Sequence, residues 1–535
     1  MCNTPKTALI HGISLPLSAT EEDAIQEARR RLRGVHLLSY AGRLSIHRRS
    51  VDARKKSHPL LVYSVAAELS LPEGWKKPLP FPLLAKEEPE VTYGSAPLAA
   101  RPVVVGSGPA GMLCALLLAE NGYRPIVLER GGSVAERKAA IARFATERRL
   151  DTECNVQFGA GGAGTFSDGK LVTRINDSLC QYVMDTFVAH GAPADILIAA
   201  KPHIGTDILC VMVDNILHRI EALGGEVLYG TRLDGIRIEN GRAVSVRTNK
   251  GELPVGALVL ATGHSARDTY AMLMKAGFSV APKPFSVGFR IEHKQADIDK
   301  ALYGDFAGHE KLGHAEYALS HNTKARGVYT FCMCPGGTVV AGASEEGGVV
   351  VNGMSNRARD GENANSAVLC SVFPEDYGAT PEGAIAFARG IERAAFVAGG
   401  GDYATPLSTL GDFLEGRVGS EPSRISPTYM GGGAYRLARP EDYLPTFATD
   451  ALRSALGAFG KSIEGFDAPD ALLSGAETRT SAPLRLLRTT ERLALGFENI
   501  YPAGEGAGYA GGITSAAIDG VRTALALMAA FAPLV

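Results

Sequence analysis

A single tryptophan, Trp75, in 535 residues is the first of several scarcities in this chain. Net charge is nearly absent too: at −2 there is no whole-protein pull toward nucleic acid or a membrane surface. Eight cysteines in a chain of this length make no disulfide framework, and no Cys/His spacing reads as a zinc site, so no metal is expected. No apolar run approaches the ~20 residues that span a bilayer. The longest candidate, TALALMAAFAPLV at the C-terminus, is too short. The opening MCNTPKTALIHG lacks a charged start followed by an apolar stretch, so no signal peptide is expected and a reducing cytoplasm is the default.

What is abundant is glycine, 62 residues of it, clustered after apolar runs instead of spread as low complexity. That placement suggests backbone packed closely against a large ligand. With 45% hydrophobic and 21% charged residues the composition is that of an ordinary globular protein, long enough for two to four domains.

Residues 1–95 read as a small module. TALIHGISL is strand-like, and TEEDAIQEARRRL follows as a helix with Thr20 as N-cap, acids in its first turn, arginines in its last, and an apolar stripe of Ala24, Ile25, Ala28 and Leu32. Strand-like VHLLSYAG and PLLVYSVAAEL come next, an order that suggests a ferredoxin-like α+β unit. Its basic stretch RLSIHRRSVDARKKSH could engage RNA or an acidic partner, but no aromatic residues are interleaved for base stacking, and a solvated strand face is the plainer reading. PEGWKKPLPFPLLAKEEPE then reads as a linker.

From residue 101 the pattern changes. RPVVVGSGPAGMLCALLLAENGYRPIVLERGG is an apolar strand, a glycine turn, an apolar helix and a second strand. Gly106, Gly108 and Gly111 form G-x-G-x-x-G: the first permits the turn, the second lets backbone approach a pyrophosphate, the third lets helix pack on strand. Glu129 ends the second strand, where a carboxylate can accept from an adenosine ribose and disfavours a 2′-phosphate. This predicts FAD or NAD. The choice falls on FAD because a β-meander, EVLYGTRLDGIRIENGRAVSVRTNKGELPVGALVLATGH, intervenes before any further βα unit, with turns at Asn240-Gly241 and Asn249 to Gly251. The mixed region from about 271 to 484 is followed by a return to strand, glycine loop and helix, which suggests a large inserted domain.

GTFSDGKL (164–171) nearly matches the phosphate loop of ATPases, but Leu171 stands where Mg²⁺ needs Ser or Thr, and the preceding DTECNVQ is too polar for the buried strand such a loop follows. It reads instead as the end of a flavin-contacting loop, NVQFGAGGAGTFSDGKL, whose Gly159, Gly161, Gly162 and Gly164 allow close approach while Thr165, Ser167, Asp168 and Lys170 offer polar contacts. Near the C-terminus Gly506, Gly508 and Gly511 match G-x-G-x-x-G again. The chain stops before any second ribose-binding acid, so this loop is expected beneath the flavin, with Glu505 near the ribityl and pyrophosphate region and the last helix aiming its positive end at the reduced ring.

Several stretches together carry a family resemblance: VVVGSGPAGM, NVQFGAGGAGTFSDGKL, KPFSVGFRIEH, TFCMCPGGTVVAGASEEGGVVVNGMS, RARDGENANSA, LSTLGDFLEG, ETRTSAPLRLLR and YPAGEGAGYAGGITSAAIDG. The chain resembles the FAD-dependent dehydrogenase family of bacteria and plastids, related in its flavin domain to fumarate-reductase-like flavoproteins. ISPTYMGGGAY (425–435) and several helices of the inserted region depart from that pattern, where substrate would be chosen. The resemblance implies FAD binding and a redox reaction, and leaves the substrate open.

The expected fold is α/β: a Rossmann-like FAD-binding domain (100–270 with 485–535), a large inserted α+β substrate domain (271–484) and the N-terminal ferredoxin-like module (1–95). The cofactor contacts are assigned to Gly106, Gly108, Pro109, Ala110, Gly111, Glu129, Arg130, Phe158, Gly159, Gly161, Gly162, Gly164, Thr165, Ser167 and Lys170, then Ala261, Thr262 and Gly263, then Gly504, Glu505, Gly511, Gly512 and Ile513. His264 and His293 are candidate proton donors beside flavin N5 or structural histidines, and Arg290 a candidate anchor for an anionic substrate. Cys332 and Cys334, two apart and on one face of a strand, are a redox pair or packing residues. Glu477, Arg479 and Arg485 form a charged cluster, either an interdomain bridge or part of a substrate site. The expected function is hydride transfer between a small-molecule substrate and flavin N5, with NAD(P)H visiting transiently or another electron carrier as partner. The alternative is a flavin-bearing binding or sensor protein whose basic N-terminal module engages RNA or a protein.

Overall fold

A computed structural model describes residues 6–84, 88–173, 175, 177–323 and 326–534. The expectation about a leader rests partly on residues 1–5, and that about a linker partly on 85–87, both outside the described residues.

Three short apolar runs, Val103–Val105, Ile126–Leu128 and Leu258–Leu260, are buried at every position, as strands covered on both faces must be. With Glu226–Leu228 and Ile500–Pro502 they make a five-stranded parallel sheet, ordered 500–502, 258–260, 103–105, 126–128, 226–228. The chain's last strand therefore joins the sheet its first Rossmann strand began. The helices that follow those two strands, Pro109–Glu120 and Ile513–Ala530, cross at Gly520, where a Cβ would collide with the Ala110 carbonyl. The last helix is longer than its apolar run suggested and is long and apolar enough to cross a membrane, which corrects the length argument. Here it is a core helix, with Ala517, Val521, Ala524 and Leu527 buried.

The meander forms as its turns predict: Leu233–Glu239, Arg242–Thr248 and Gly251–Pro254 pair antiparallel, with Asn240 and Gly241 at φ 50° and 76°. The region between 280 and 486 builds a seven-stranded sheet around Phe285–Lys294 and Asn363–Val372, flanked on one side by Gly327–Cys334 and on the other by Leu472–Glu477 and Thr405–Thr409. Along Phe285–Lys294 the odd positions Phe285, Val287, Phe289 and Ile291 enter the apolar core, while Arg290 and Glu292 leave by the other face.

The N-terminal segment gives Lys6–Pro16, the helix Glu21–Gly34 with a Thr20/Asp23 capping box, then Ala41–Asp52 and Leu60–Leu69, with the third strand between the other two. It has the strand order of a ferredoxin-like unit but one helix among the described residues, and the expected linker supplies a fragment of the missing edge: Leu83 pairs antiparallel with Ala8. Its core is continuous with that of the large sheet, since Ile10, Ala28 and Val65 belong to the same buried cluster as Phe289 and Val368. Two arginines of the basic stretch pair within the chain, Arg54 with Asp52 at 2.6 Å and Arg49 with Glu21 at 3.2 Å, and the Arg49 backbone bonds to that of Ile198 and Ala200.

Candidate functional site

The first glycine turn needs its glycines for close approach. Gly106, at φ +100°, abuts the Ala261 carbonyl, and Gly111 abuts the carbonyl of Gly106. The helix that follows has Gly108 as N-cap, Pro109 at its first position, no capping side chain and no acid in its first turn, so its N–H groups and positive dipole end are left for an anion. The helix Ile513–Ala530 likewise begins without a side-chain cap, and Gly511, Gly512 and Ile513 border the same cleft. Gly506 and Gly508 instead pack against the backbone of Gly263 and Leu484, so the second glycine pattern serves loop packing more than ligand approach.

Glu129 lies at the cleft, yet its carboxylate is already engaged: Oε2 accepts from the Ser107 N–H at 3.1 Å and hydroxyl at 2.7 Å, and Oε1 from the N–H groups of Gly131 at 2.9 Å and Gly159 at 3.0 Å. It fastens three turns together, and a ribose hydroxyl must share or displace one of these donors. Arg130 sits with its guanidinium 4.1 Å from the Phe158 ring centroid, paired bidentately with Asp268 at 2.9 Å and with Glu153 at 2.9 Å.

The glycine-rich loop is held from beneath by Arg137, which sequence reasoning missed. Fully buried, it donates to the carbonyls of Asn155 (2.9 Å), Val156 (2.7 Å), Ala160 (2.8 Å) and Gly162 (2.8 Å) and lies 4.7 Å from the Phe166 ring centroid. Burial without a contacting carboxylate lowers its pKa to about 10. The loop then meets the first turn backbone to backbone: a Cβ on Gly162, at φ +66°, would stand 2.9 Å from the Gly108 Cα. Gly161 and Thr165 face each other and the helix Thr206–Ala222 instead of the cleft, which corrects their assignment as contact residues. Gly111 is likewise a packing residue. Beyond the loop, Asp168 is buried against Arg359 and Ser355, while Lys170 borders the cleft 3.5 Å from Glu316 and 3.9 Å from Asp168. Lys170 bridges to His203 in extended conformation instead of opening a helix, so the phosphate-loop reading fails on geometry as well.

These turns line one cleft, open at its mouth, whose empty space comes to about 1570 Å³ with the solvent at the mouth counted in. Its lining takes in Glu129, Arg130, Phe158 and Thr231, both helix N-termini, and the chamber wall formed by Phe331, Cys332, Cys334, Asn352, Glu477 and Arg479 of the large-sheet region.

Residues 284–480 match the family described as FAD-dependent protein, C-terminal domain-like, and residues 104–172 match an NAD(P)-binding Rossmann-like domain. An uncharacterised protein from Clostridium beijerinckii is 45% identical over 490 residues, covering 90% of this chain and 91% of its own. The chain belongs to this family of FAD-dependent proteins. Among solved structures it is similar to L-amino acid deaminase from Proteus vulgaris (12% identity, 83% of this chain and 97% of that one, TM-score 0.33) and to glycine oxidase from Bacillus cereus (11%, 81% and 94%, TM-score 0.29).

The cleft fits FAD on its own evidence. Two uncapped helix N-termini face it, and Gly263, Gly511 and Gly512, which border it, have no atom within 4 Å of where a Cβ would stand. Of the residues assigned to FAD from sequence, all but Gly111, Gly161 and Thr165 border this cleft.

The candidate catalytic groups fare unevenly. Arg290 cannot anchor a substrate: all its N–H groups are used, on Glu477 (2.7 and 3.2 Å), the Cys332 carbonyl (3.0 Å), Asn365 (2.8 Å) and Asn352 (3.0 Å). It positions the Cys332–Cys334 wall instead. His293 shares the strand parity of Phe289 and Ile291, so it points into the core, bonded at 2.8 Å to the Phe466 carbonyl and remote from the cleft. His264 does border the cleft, but burial, then Arg479, Arg267 and Lys283, lower its pKa to about 4, so at neutral pH it is no imidazolium donor. Cys332 and Cys334 border the cleft although a bulge between Phe331 and Cys334 interrupts their strand. Cys334 is buried and its thiol is raised to about 11, so it is no thiolate at neutral pH, while Cys332 is exposed to the cleft, where the surrounding protein still pushes its thiol upward. The group poised to exchange a proton is Glu505, whose carboxyl burial raises to about 7 against the opposing pull of Lys283. Glu477, Arg479 and Arg485 do not cluster: Glu477 pairs with Arg290, Arg479 with Glu392 at 3.2 Å, and Arg485 donates to the Gly508 carbonyl at 3.2 Å.

Proposed function

We propose that the protein is an oxidoreductase acting on a small molecule in the chamber between its Rossmann sheet and its large sheet. FAD held in the cleft supplies a two-electron carrier whose flavin accepts or returns a hydride. The observation that carries the reading is the continuity of the dinucleotide cradle with a chamber walled by the other sheet. The chain's own residues then have distinct tasks. Gly108, Gly162 and the two helix N-termini bind the phosphates, Glu129 and Arg137 keep the surrounding turns in place, and the wall of Phe331, Cys332 and Asn352 excludes water and orients substrate. Glu505, able to hold or release a proton at its carboxyl near neutral pH, handles the proton that accompanies hydride transfer.

The described residues contain one parallel five-stranded sheet of this kind, which supports electrons arriving from NAD(P)H as a visitor, or from another carrier, instead of from a second resident dinucleotide. The test is anaerobic: purified holoprotein is screened against reduced nicotinamides, small hydroxy and amino compounds and quinols, following the flavin's visible band. A donor that bleaches it, with colour restored by an acceptor, is the expected result. A flavin that no donor reduces, and that after photoreduction no acceptor reoxidises, would leave the cofactor structural and the proposal wrong.

A further inference from the structure

Behind the chamber wall lies a buried charge network that the redox reading does not use. Arg267 pairs with Glu392 through two bonds of 2.7 and 2.8 Å and with Glu345 at 2.7 Å. Arg389 closes on Glu345 from the surface side at 2.7 Å, and Thr478 donates to Glu392 at 2.7 Å. Arg479 joins last and least tightly: its bonds to Glu392 are 3.3 and 3.2 Å, and its other partner is the Ser344 hydroxyl. Three guanidinium groups thus share two carboxylates, leaving one positive charge uncompensated.

Of the network's three arginines, Arg479 is the one that borders the cleft, and it has donors to spare. A guanidinium has five N–H groups. Arg290, on the same wall, uses all of them, whereas Arg479 uses three and leaves one on each of Nη1 and Nη2 without a partner among the described residues. Its side chain is 3% exposed, and the surface it does border is the cleft. An unsatisfied, charged donor pair on a side chain so deeply buried is costly unless a ligand completes it. The depressed pKa of His264, with Arg479 and Arg267 among its causes, reports the same positive field inside the chamber.

We propose that Arg479 anchors a carboxylate of the substrate, so that this protein acts on organic acids. The inference rests on the oxidoreductase reading above. A planar fork suits a carboxylate better than a point cation would. The residue's origin supports substrate over cofactor: it follows the strand Leu472–Glu477 of the large sheet, while the cofactor's phosphates already have two helix N-termini.

The experiment uses FAD-loaded protein, wild type, Arg479→Met and Arg479→Lys. Each is titrated with acetate, benzoate and succinate, with the uncharged acetamide and benzamide, and with inorganic phosphate, following the flavin's visible spectrum. Expected are saturable shifts with the carboxylates, none with the amides, a dissociation constant raised about 30-fold in R479M and less in R479K, and unchanged FAD content. Carboxylates that leave the spectrum unaltered, R479M titrating as wild type does, or phosphate acting as strongly as carboxylates would each overturn the proposal. Loss of FAD from soluble R479M would assign Arg479 to the cofactor and overturn it too. If R479M is insoluble, R479K and the carboxylate-against-amide contrast in wild type still decide. Wild type that binds no FAD is seen before any titration, and would sink the underlying reading along with this one.

Discussion

Replacing Arg137 by methionine should cost more flavin affinity than any single glycine-to-alanine change at an exposed turn. Four charged hydrogen bonds of 2.7–2.9 Å would go. At about 1.5–3 kcal/mol each they are worth roughly 6–12 kcal/mol gross. Against this stands the burial of the guanidinium, which its lowered pKa of about 10 puts at about 3 kcal/mol. The freed carbonyls also regain water where the loop can open toward the cleft. A net loss of about 3–5 kcal/mol is expected, the range for breaking a buried charged network. Because the stretch from Asn155 to Gly162 must then be reordered when FAD binds, even the lower end raises the dissociation constant about 100-fold. Arg137→Lys, which keeps the charge but cannot reach four carbonyls as a fork does, should fall between. Flavin fluorescence quenching on titration into the cofactor-free protein measures this directly. An R137M protein that binds FAD within about threefold of wild type would refute the reasoning, since four charged bonds cannot vanish at so small a cost.

Gly106→Ala should abolish FAD retention on gel filtration, because φ +100° and the Ala261 carbonyl both forbid a Cβ, whereas Gly457→Ala, inside the helix Thr446–Ser462 with open space around it, should stabilise by up to about 1 kcal/mol in urea. In the cofactor-free protein Glu505, raised from 4.5 to about 7, favours folding in its protonated form. Its contribution is complete below pH 4.5 and lost as pH rises through about 7, so the urea midpoint should decline across that window by the equivalent of about 3 kcal/mol. E505Q should flatten this part of the profile, and a profile identical to wild type would remove the carboxyl from the account. Glu477→Gln should cost roughly 3–5 kcal/mol by leaving Arg290 buried without its counter-charge, and R290M/E477Q together should cost less than E477Q alone. Urea denaturation of the three variants checks the sign.

The parts of this site that could be read in advance were those in which one contiguous stretch carries all the necessary chemistry. Strand, glycine turn, helix, strand and Glu129 fall within about thirty residues, and each implies the next. NVQFGAGGAG could be placed because runs of glycine there serve little except close approach. Arg137 escaped because its partners are backbone carbonyls, to which no side-chain pattern points. Glu392 escaped for a different reason: its partners Arg267 and Arg479 lie 125 and 87 residues away, and only the sheet's topology joins them. The error over His293 was avoidable. Alternation along FSVGFRIEH already puts it on the side of Phe289 and Ile291, opposite Arg290. The N-terminal segment was legible as strands and a helix, but its shared core with the large sheet depends on contacts between Ile10, Val65 and residues three hundred positions on.

The most direct test is the cofactor itself. Protein purified without added flavin, or refolded with it, is denatured, and the released chromophore is identified by mass and quantified against chain concentration. About one FAD per chain in wild type, and none in Gly106→Ala, is the predicted result. A colourless protein that takes up no FAD, or one whose FAD is retained unchanged by G106A, would contradict the claim that the first and last glycine turns of this chain hold a single dinucleotide.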